Sequence, residues 1–201
     1  VPSHPRAVDE GATVANHLAS RYPECLAVGG PPREAGLVHR LDTLASGLLV
    51  AARTAHAHAE LRRQFHDHEV EKRYLVLVWG QPLESGVVEE PIASRPGRRK
   101  VTVGSGQAAR TEWRRLVQHE RTALLDVTAS TGRRHQVRAH LAHAGHPLTD
   151  DALYGGAPFP AGPGPLLHAH SLTLQHPATR RRFTFRAPLF AHQQEALDGL
   201  S

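Results

Sequence analysis

Residues 38–42 read Val-His-Arg-Leu-Asp, and residues 46–50 read Ser-Gly-Leu-Leu-Val. Their apolar positions predict two short buried strands with a polar connection between them. Because alternate residues of a strand point the same way, Arg40 and Asp42 are expected on one face. An aspartate there can act as a nucleophile or a base, and the arginine can hold a phosphate or fill a gap in a base stack. The alternative is an ordinary surface Arg–Asp pair, which this spacing alone favours. The two predicted strands are Leu37–Leu41 and Leu48–Ala52.

Outward from this stretch, hairpin-like strands are mixed with well separated helices. This order predicts an α+β fold with a largely antiparallel sheet. Thr13 and Thr54 are expected to cap two helices, the second of which runs to about Asp67. Residues 81–108 are rich in Pro and Gly and predict a surface excursion around one short strand. The remaining predicted strands and helix are Tyr74–Trp79, Val101–Val103, Arg110–Gln118, Thr122–Thr128, Ser171–Gln175, Arg182–Ala187 and the helix Arg134–Ala144.

Residues 131–138 read Thr-Gly-Arg-Arg-His-Gln-Val-Arg, a polar turn that opens a predicted helix. Such a helix N-terminus can receive anions. Arg134 and Arg138 are four residues apart and are expected to share a face of the helix. An arginine at the edge of the core can pair with a carboxylate and lower its pKa. A basic helix end on the surface is an equal alternative. Tyr74 can stack on a planar base or take a proton, although alone it is a weak signal.

The charge of the chain indicates a polyanionic partner. The 201 residues carry 24 Lys and Arg against 19 Asp and Glu, for a formal net charge of +5. A basic surface attracts polyanions, and nucleic acid is the commonest of them. A solvated surface without a partner explains the charge equally well. The basic runs are 62–63, 72–73, 98–100, 114–115, 133–134 and 180–182.

The composition also argues against several classes of protein. The single cysteine, Cys25, leaves no disulfide framework and no Cys-rich metal site. No apolar run approaches the ~20 residues that a membrane span requires. The 16 histidines are scattered, and none stands in a His-Glu-x-x-His frame, so we predict no metal site. We expect a cytoplasmic protein.

Taken in order, these segments resemble the pseudouridine synthases of the RluA family. That family carries His-Arg-Leu-Asp, Ser-Gly-Leu-Leu, a Lys-x-Tyr strand, Thr-Gly-Arg-x-His-Gln-x-Arg, Gly-His-Pro and Leu-His-Ala, and this chain has all six over residues 36–190. The histidine before Arg40 favours this family over its RsuA-type relatives, which usually have glycine there. The resemblance implies a pseudouridine synthase fold: a mixed, mostly antiparallel sheet with flanking helices and a central cleft. We expect residues 1–201 to form a single catalytic domain.

The resemblance also implies the reaction and the roles of individual residues. Specific uridines of rRNA or tRNA are expected to become pseudouridine by base flipping, without a metal or a cofactor. Asp42 matches the catalytic aspartate, as nucleophile or base, and Arg138 matches the arginine that ion-pairs with it. Tyr74 matches the tyrosine that stacks on the flipped uracil and helps to remove the C5 proton. Arg40 matches the arginine that enters the base stack. The residues expected to hold the RNA backbone are Arg133 and Arg134.

Several features depart from the family pattern. Ala45 stands where Thr is common, Arg134 stands where Thr or Ser is usual, and Asp150 stands where Gly is common. The family's first strand is expected before Val1, so we expect a trimmed chain, and no S4-type RNA-binding domain is visible in it. We expect a monomer with no obligatory protein partner. The alternative function is a catalytically inactive RNA-binding protein or RNA chaperone of the same fold.

Overall fold

The computed structural model of the chain describes residues 2–3, 13–159 and 164–200. Regular structure in these residues consists of short helices and a set of strands that form one large sheet and one small one. The helices are α1 (Val14–Arg21), α2 (Ala55–His66), α3 (Gln136–His143) and α4 (Ala191–Asp198). The strands are β1 (Ser46–Gly47), β2 (Glu71–Trp79), β3 (Ser85–Val88), β4 (Ile92–Ala93), β5 (Thr102–Val103), β6 (Thr111–Gln118), β7 (Thr122–Ala129), β8 (Leu167–Gln175) and β9 (Arg182–Arg186).

The chain divides into two compact units, each built from segments that are distant in sequence. The first unit comprises Val1–Thr43, Leu48–Val70 and Thr173–Thr184. The second unit comprises Leu44–Gly47, Glu71–Leu172 and Phe185–Ser201.

In the first unit, α1 and α2 begin where their capping residues predict. The Thr13 side chain accepts a hydrogen bond from the Asn16 N–H, and the Thr54 side chain accepts one from the Ala57 N–H. Each bond satisfies a backbone donor that the first helical turn leaves without a partner. The core of this unit is a cluster of small and aliphatic side chains, namely Ala15, Cys25, Ala35 and Leu37.

Residues 37–52 are less regular than predicted, and the two strands expected there are wrong. Leu37 and Ala51 form one isolated antiparallel bridge, and regular strand is confined to β1. The ring of His39 explains part of the difference. Its Nε2 accepts the Val50 N–H at 3.0 Å, and the ring stacks on Phe65 with centroids 4.5 Å apart. A side chain thus takes a backbone donor that a strand ladder would have used.

The large sheet has the strand order β1-β8-β2-β7-β6-β3, with β9 paired to β8. β7 pairs antiparallel with both β2 and β6, β3 pairs antiparallel with β6, and β1 pairs parallel with β8. A separate antiparallel ribbon joins β4 and β5. These pairings confirm the predicted α+β fold with a mostly antiparallel sheet.

The two faces of β2 pack against different helices because successive side chains of a strand alternate in direction. Val76 and Val78 join a core cluster with Val137 and Leu141 of α3, and Tyr74 packs against the same cluster. Leu77, on the opposite face, joins a cluster that contains Leu197 of α4. The sheet therefore holds α3 on the face that carries Tyr74.

Two further predictions need correction, and one helix was not predicted. The helix expected over Arg134–Ala144 begins only at Gln136, because His135 has a left-handed backbone with φ +54°. Residues 81–108 contain β3, β4 and β5 where one strand was expected. The C-terminal helix α4 was not predicted.

Candidate active site

The segment that carries Arg40 and Asp42 belongs to the first unit and is irregular. His39 holds it through the bond to Val50, and the Leu41 N–H donates to the Ser3 hydroxyl at 3.3 Å. Arg40 is exposed and Asp42 is half-buried. His39 and Leu41, which flank Arg40, therefore fix the segment, and Arg40 itself is exposed.

Ser46 and Gly47 lie beside the Leu-His-Ala segment because β1 pairs with β8. Ser46 is opposite His168, and Gly47 is opposite Ala169. Gly47 has φ +104°, and a Cβ added there would lie 2.4 Å from the Ala169 carbonyl oxygen. Glycine is required here for two reasons. Other residues rarely adopt this backbone conformation, and the position leaves no room for a side chain.

A buried chain of hydrogen bonds fixes this strand pair. The Gln193 amide donates to the Ser46 hydroxyl at 3.1 Å, and Ser46 Oγ lies 2.8 Å from His168 Nδ1. His168 Nε2 lies 3.2 Å from the Ala187 carbonyl, which can only accept, so Nε2 carries the proton and Nδ1 accepts from Ser46. Burial lowers the pKa of His168 and favours this neutral ring. His168 thus supports the Ser-Gly-Leu-Leu motif through Ser46.

Lys72 and Tyr74 occupy one face of β2 near its N-terminal end. Lys72 is 7% exposed, and its ammonium donates to the Thr131 carbonyl at 2.8 Å. Burial lowers the pKa of Lys72 to about 8, and repulsion by Arg133 contributes in the same direction. The Tyr74 ring is half-buried against the core cluster. Lys72 therefore ties the strand that presents Tyr74 to the turn before α3.

The turn before α3 is organised by the Gln136 side chain. Its Oε1 accepts from the Thr131 hydroxyl at 2.6 Å and from the Arg133 N–H at 3.1 Å. Its Nε2 donates to the Arg110 carbonyl at 2.9 Å. Because Gln136 is 4% exposed and uses both ends of its amide, the turn has one defined conformation. The sequence analysis assigned no role to Gln136, although it stands inside the Thr-Gly-Arg-x-His-Gln-x-Arg motif.

Arg133 and Arg134 are both engaged with the chain itself. Arg133 Nε donates to the Ala108 carbonyl at 3.0 Å. Arg134 donates to the carbonyls of Arg98 and Arg99 at 3.0 and 2.7 Å. The expectation that Arg134 and Arg138 share a helix face is wrong, because Arg134 precedes the helix and is exposed whereas Arg138 is buried. RNA binding by Arg133 and Arg134 stays a prediction.

Arg138 is fixed by a partner that the sequence analysis missed. Its Nε and Nη2 donate to the two carboxylate oxygens of Asp151, each at 2.7 Å. Arg138 is 4% exposed and Asp151 is 1% exposed, and the Arg138 guanidinium also lies 5.1 Å from the centre of the Tyr154 ring. A buried carboxylate needs a cation nearby, and no local pattern in the sequence indicates that Asp151 is buried.

The turn that presents Asp151 accommodates a departure from the family pattern. Asp150 adopts the left-handed backbone, with φ +58°, which is the region that favours the glycine common at this position. Its carboxylate accepts the Phe159 N–H at 2.7 Å. Aspartate is among the residues that tolerate this backbone through such local hydrogen bonds, so the turn forms without glycine.

The three predicted catalytic residues fall in both units. Asp42 belongs to the first, and Tyr74 and Arg138 belong to the second. The pairing of Arg138 with Asp42, and the convergence of all three around a central cleft, stay predictions. Among the described residues, no three His, Cys, Asp or Glu side chains are grouped so that they could hold a metal ion. Within the same residues, no helix has the length and apolarity needed to cross a bilayer.

Comparison with known proteins supports the resemblance seen in the motifs. Residues 2–143 match the family model described as RNA pseudouridylate synthase. An uncharacterized RNA pseudouridine synthase of Chloroflexus aurantiacus is 41% identical over 98% of this chain and 61% of its own length. The ribosomal large subunit pseudouridine synthase D of Nitrosomonas europaea is 38% identical over 92% of this chain and 56% of its own. The dual-specificity RNA pseudouridine synthase RluA of Escherichia coli is 40% identical over 77% of this chain and 74% of its own.

The solved structure of human RNA Pseudouridylate Synthase Domain Containing 4 has the same fold, with a TM-score of 0.77 and 22% identity over 100% of this chain and 86% of that chain. The chain spans 56% to 62% of the length of three of the curated relatives it matches. The match over residues 2–143, together with the level of identity to these relatives, shows the family. The chain belongs to the RNA pseudouridylate synthase family and is an RluA-type member of it.

Proposed function

We propose that this chain converts specific uridines of structured RNA to pseudouridine. The reaction breaks the bond between C1′ and N1, turns the uracil, and joins C1′ to C5. The C5 hydrogen leaves as a proton and N1 gains one, so no electron or phosphoryl group is transferred. The observation that carries the proposal is the family match over residues 2–143, which includes Asp42, Tyr74 and Arg138 at the motif positions.

We assign the essential carboxylate to Asp42, as nucleophile or as base. An ionised carboxylate is needed in either role, and a neighbouring guanidinium would keep it ionised. The assignment of that guanidinium to Arg138 is supported by its fixed position, since the pair with Asp151 orients its side chain. A preorganised cation stabilises charge in a reaction at lower cost than one that must be ordered first.

We assign base flipping to Arg40 and stacking on the flipped uracil to Tyr74. A uridine must leave its helix before its glycosidic bond can be reached, at a cost of a few kcal/mol. The exposed guanidinium of Arg40 is suited to fill the vacated position. Stacking on an aromatic ring is worth about 1–3 kcal/mol per base, and the half-buried ring of Tyr74 is held by the core behind it.

The substrate class is a structured RNA, either rRNA or tRNA. The name of one relative specifies the large ribosomal subunit, and the name of another specifies dual specificity. The basic balance of the chain, with a net charge of +5, supports an RNA partner. We further propose that the protein acts as a cytoplasmic monomer without an obligatory protein partner.

The test is release of tritium from RNA labelled at uracil C5, with pseudouridine confirmed by mass spectrometry of the digested RNA. The wild-type chain should release tritium from rRNA or tRNA, and Asp42→Asn should release none above background. Asp198→Asn is the matched control, because it makes the same acid-to-amide change at an exposed residue of α4. This control should retain the wild-type rate.

Two results would contradict the proposal. A wild-type chain that binds RNA but releases no tritium from any RNA fraction would support the inactive RNA-binding alternative. An Asp42→Asn variant as active as Asp198→Asn would remove Asp42 from the chemistry.

A further inference from the structure

A basic groove lies on the second unit, lined by the β4–β5 ribbon, the C-terminal half of α3 and Tyr154. Its volume is about 600 Å³. Four of its lining residues have basic side chains, and none of the lining residues is acidic. The basic residues are Arg95, Arg98, Lys100 and His143. We call it the ribbon groove.

The segment between β4 and β5 that carries Arg95, Arg98 and Lys100 is held in place by the core. Val101 of the ribbon is 4% exposed and packs with Ala139 of α3 and Tyr154. The Val101 N–H also donates to the Tyr154 hydroxyl at 3.0 Å. Arg134 donates to the carbonyls of Arg98 and Arg99, which fixes the backbone of the loop. The cations are therefore presented from a defined scaffold.

The shape and chemistry of the ribbon groove favour phosphates over bases. Tyr154 is 6% exposed, and the Lys100 ammonium lies 5.2 Å from the centre of its ring. Its ring therefore offers little surface on which a base could stack. Ala139 and Ala142, which also line the groove, have no polar side-chain atoms that could read a base edge. The exposed basic side chains and the hydroxyl of Thr102 supply the other polar groups of the lining, and both suit the oxygens of a sugar–phosphate backbone.

Tyr154 links the ribbon groove to a residue of the proposed active site. Lys100 lies against its ring from the groove, and the guanidinium of Arg138 lies 5.1 Å from the same ring centre. His135, in the turn before α3, also contacts the Tyr154 hydroxyl, with Nδ1 at 3.0 Å. An RNA that reaches Arg138 is thus expected to extend toward the ribbon groove.

We propose that the ribbon groove binds the phosphate backbone of the substrate RNA outside the nucleotide that reacts. The identity of the polyanion rests on the proposed function, whereas the groove itself rests on the charges and contacts described above. Arg95, Arg98 and Lys100 contribute affinity, and the contacts select an RNA by the path of its backbone rather than by its sequence.

The test compares two double variants that change the charge equally. Arg95→Glu/Arg98→Glu alters the ribbon groove, and Arg33→Glu/Arg62→Glu alters exposed residues of the first unit. Each replaces two positive with two negative charges and so takes the formal net charge from +5 to +1. Binding to folded rRNA and tRNA fragments is measured by fluorescence anisotropy over a range of salt concentrations. Tritium release is measured at saturating RNA.

The groove variant should bind RNA at least about tenfold more weakly than the matched control. Its plot of log Kd against log salt should be shallower by about 1.5, as expected for the loss of two phosphate contacts. Tritium release at saturating RNA should stay within about twofold of the wild-type rate, because the substitutions remove binding and leave the reacting groups.

Equal binding by the two double variants would overturn the proposal while leaving the proposed function intact. A groove variant that binds as the wild type does but turns over slowly would also overturn it, by placing these arginines in the chemistry. A wild-type chain without turnover, combined with selective loss of RNA binding in the groove variant, would contradict the proposed function and support the groove. If the glutamate variant fails to fold by circular dichroism, Arg95→Gln/Arg98→Gln against Arg33→Gln/Arg62→Gln makes the same comparison.

Discussion

Arg138 and Asp151 form a buried bidentate ion pair, with Nε 2.7 Å from Oδ2 and Nη2 2.7 Å from Oδ1. Both side chains are almost fully enclosed, at 4% and 1% exposed. The arginine assigned to the active site is therefore oriented by a carboxylate that follows it by 13 residues. The position of the Arg138 guanidinium is therefore set by its contact with Asp151 within the folded chain.

Removing either member of this pair should destabilise the protein strongly. We expect Arg138→Met and Asp151→Leu each to lower the free energy of unfolding by about 3–5 kcal/mol, because each leaves a buried charge without its partner. The double variant should lose clearly less than the sum of the two. Urea unfolding followed by circular dichroism measures all three. Additive losses would show that the two residues are not coupled.

Tyr74 should contribute its ring and its hydroxyl to separable steps. Tyr74→Phe keeps an aromatic face and should leave RNA affinity within about threefold of wild type, while tritium release slows because the hydroxyl is lost. Tyr74→Leu should lower both the RNA affinity and the rate of tritium release. Anisotropy and single-turnover tritium release separate the two effects. If Tyr74→Phe turns over at the wild-type rate, the hydroxyl has no part in proton removal.

Lys72 should make stability depend on alkaline pH. Its pKa of about 8 in the folded protein lies below its ordinary value of 10.5, so between these values the unfolded chain binds more protons and the free energy of unfolding rises with pH. Relative to Lys72→Met, the wild type should gain about 2–3 kcal/mol across this interval. Urea unfolding of both proteins at about pH 7 and about pH 10 measures the difference. If the free energies of unfolding of the wild type and Lys72→Met differ by the same amount at both pH values, the pKa of Lys72 is not lowered.

Gly47→Ala should disrupt the pairing of β1 with β8. The new Cβ would lie 2.4 Å from the Ala169 carbonyl oxygen on a backbone with φ +104°. We expect a loss of about 2–4 kcal/mol from overpacking and backbone strain together. Gly97→Ala is the control, since Gly97 has φ +72° but nothing within 4 Å of an added Cβ, and should lose only about 1–2 kcal/mol. Thermal unfolding compares the two, and equal losses would mean that the close approach to Ala169 is relieved by a small backbone shift.

Local signals predicted the elements whose stabilising contacts lie within a few residues or follow a simple period. The caps at Thr13 and Thr54 are such signals, and so is the β-branched run that became β2. The strands predicted on either side of Asp42 were wrong because the His39 ring competes with backbone acceptors for the Val50 N–H. That competition depends on the fold and cannot be read from an apolar run.

The motifs named Asp42, Tyr74 and Arg138 as candidate site residues, and these roles stay predictions, whereas the contacts between distant parts of the chain were not predicted. The partner of Arg138 was missed because a buried carboxylate is recognised only once its burial is known. Helix α4 was missed because its short amphipathic pattern is weak, yet its Gln193 donates to Ser46 across 147 positions of sequence. Contacts between residues so far apart in sequence form only when the sheet is assembled, and no local sequence pattern predicts them.

The hydrogen-bond chain from Gln193 through Ser46 to His168 bears on how shortened versions of the protein should be made. The family match ends at residue 143, before Asp151, His168 and Gln193. A fragment that ends at residue 143 would retain every assigned catalytic side chain. It would lack Asp151, which holds Arg138, and it would also lack His168 and Gln193, which hold β1. Expression fragments for biochemical work should therefore retain the C-terminal helix.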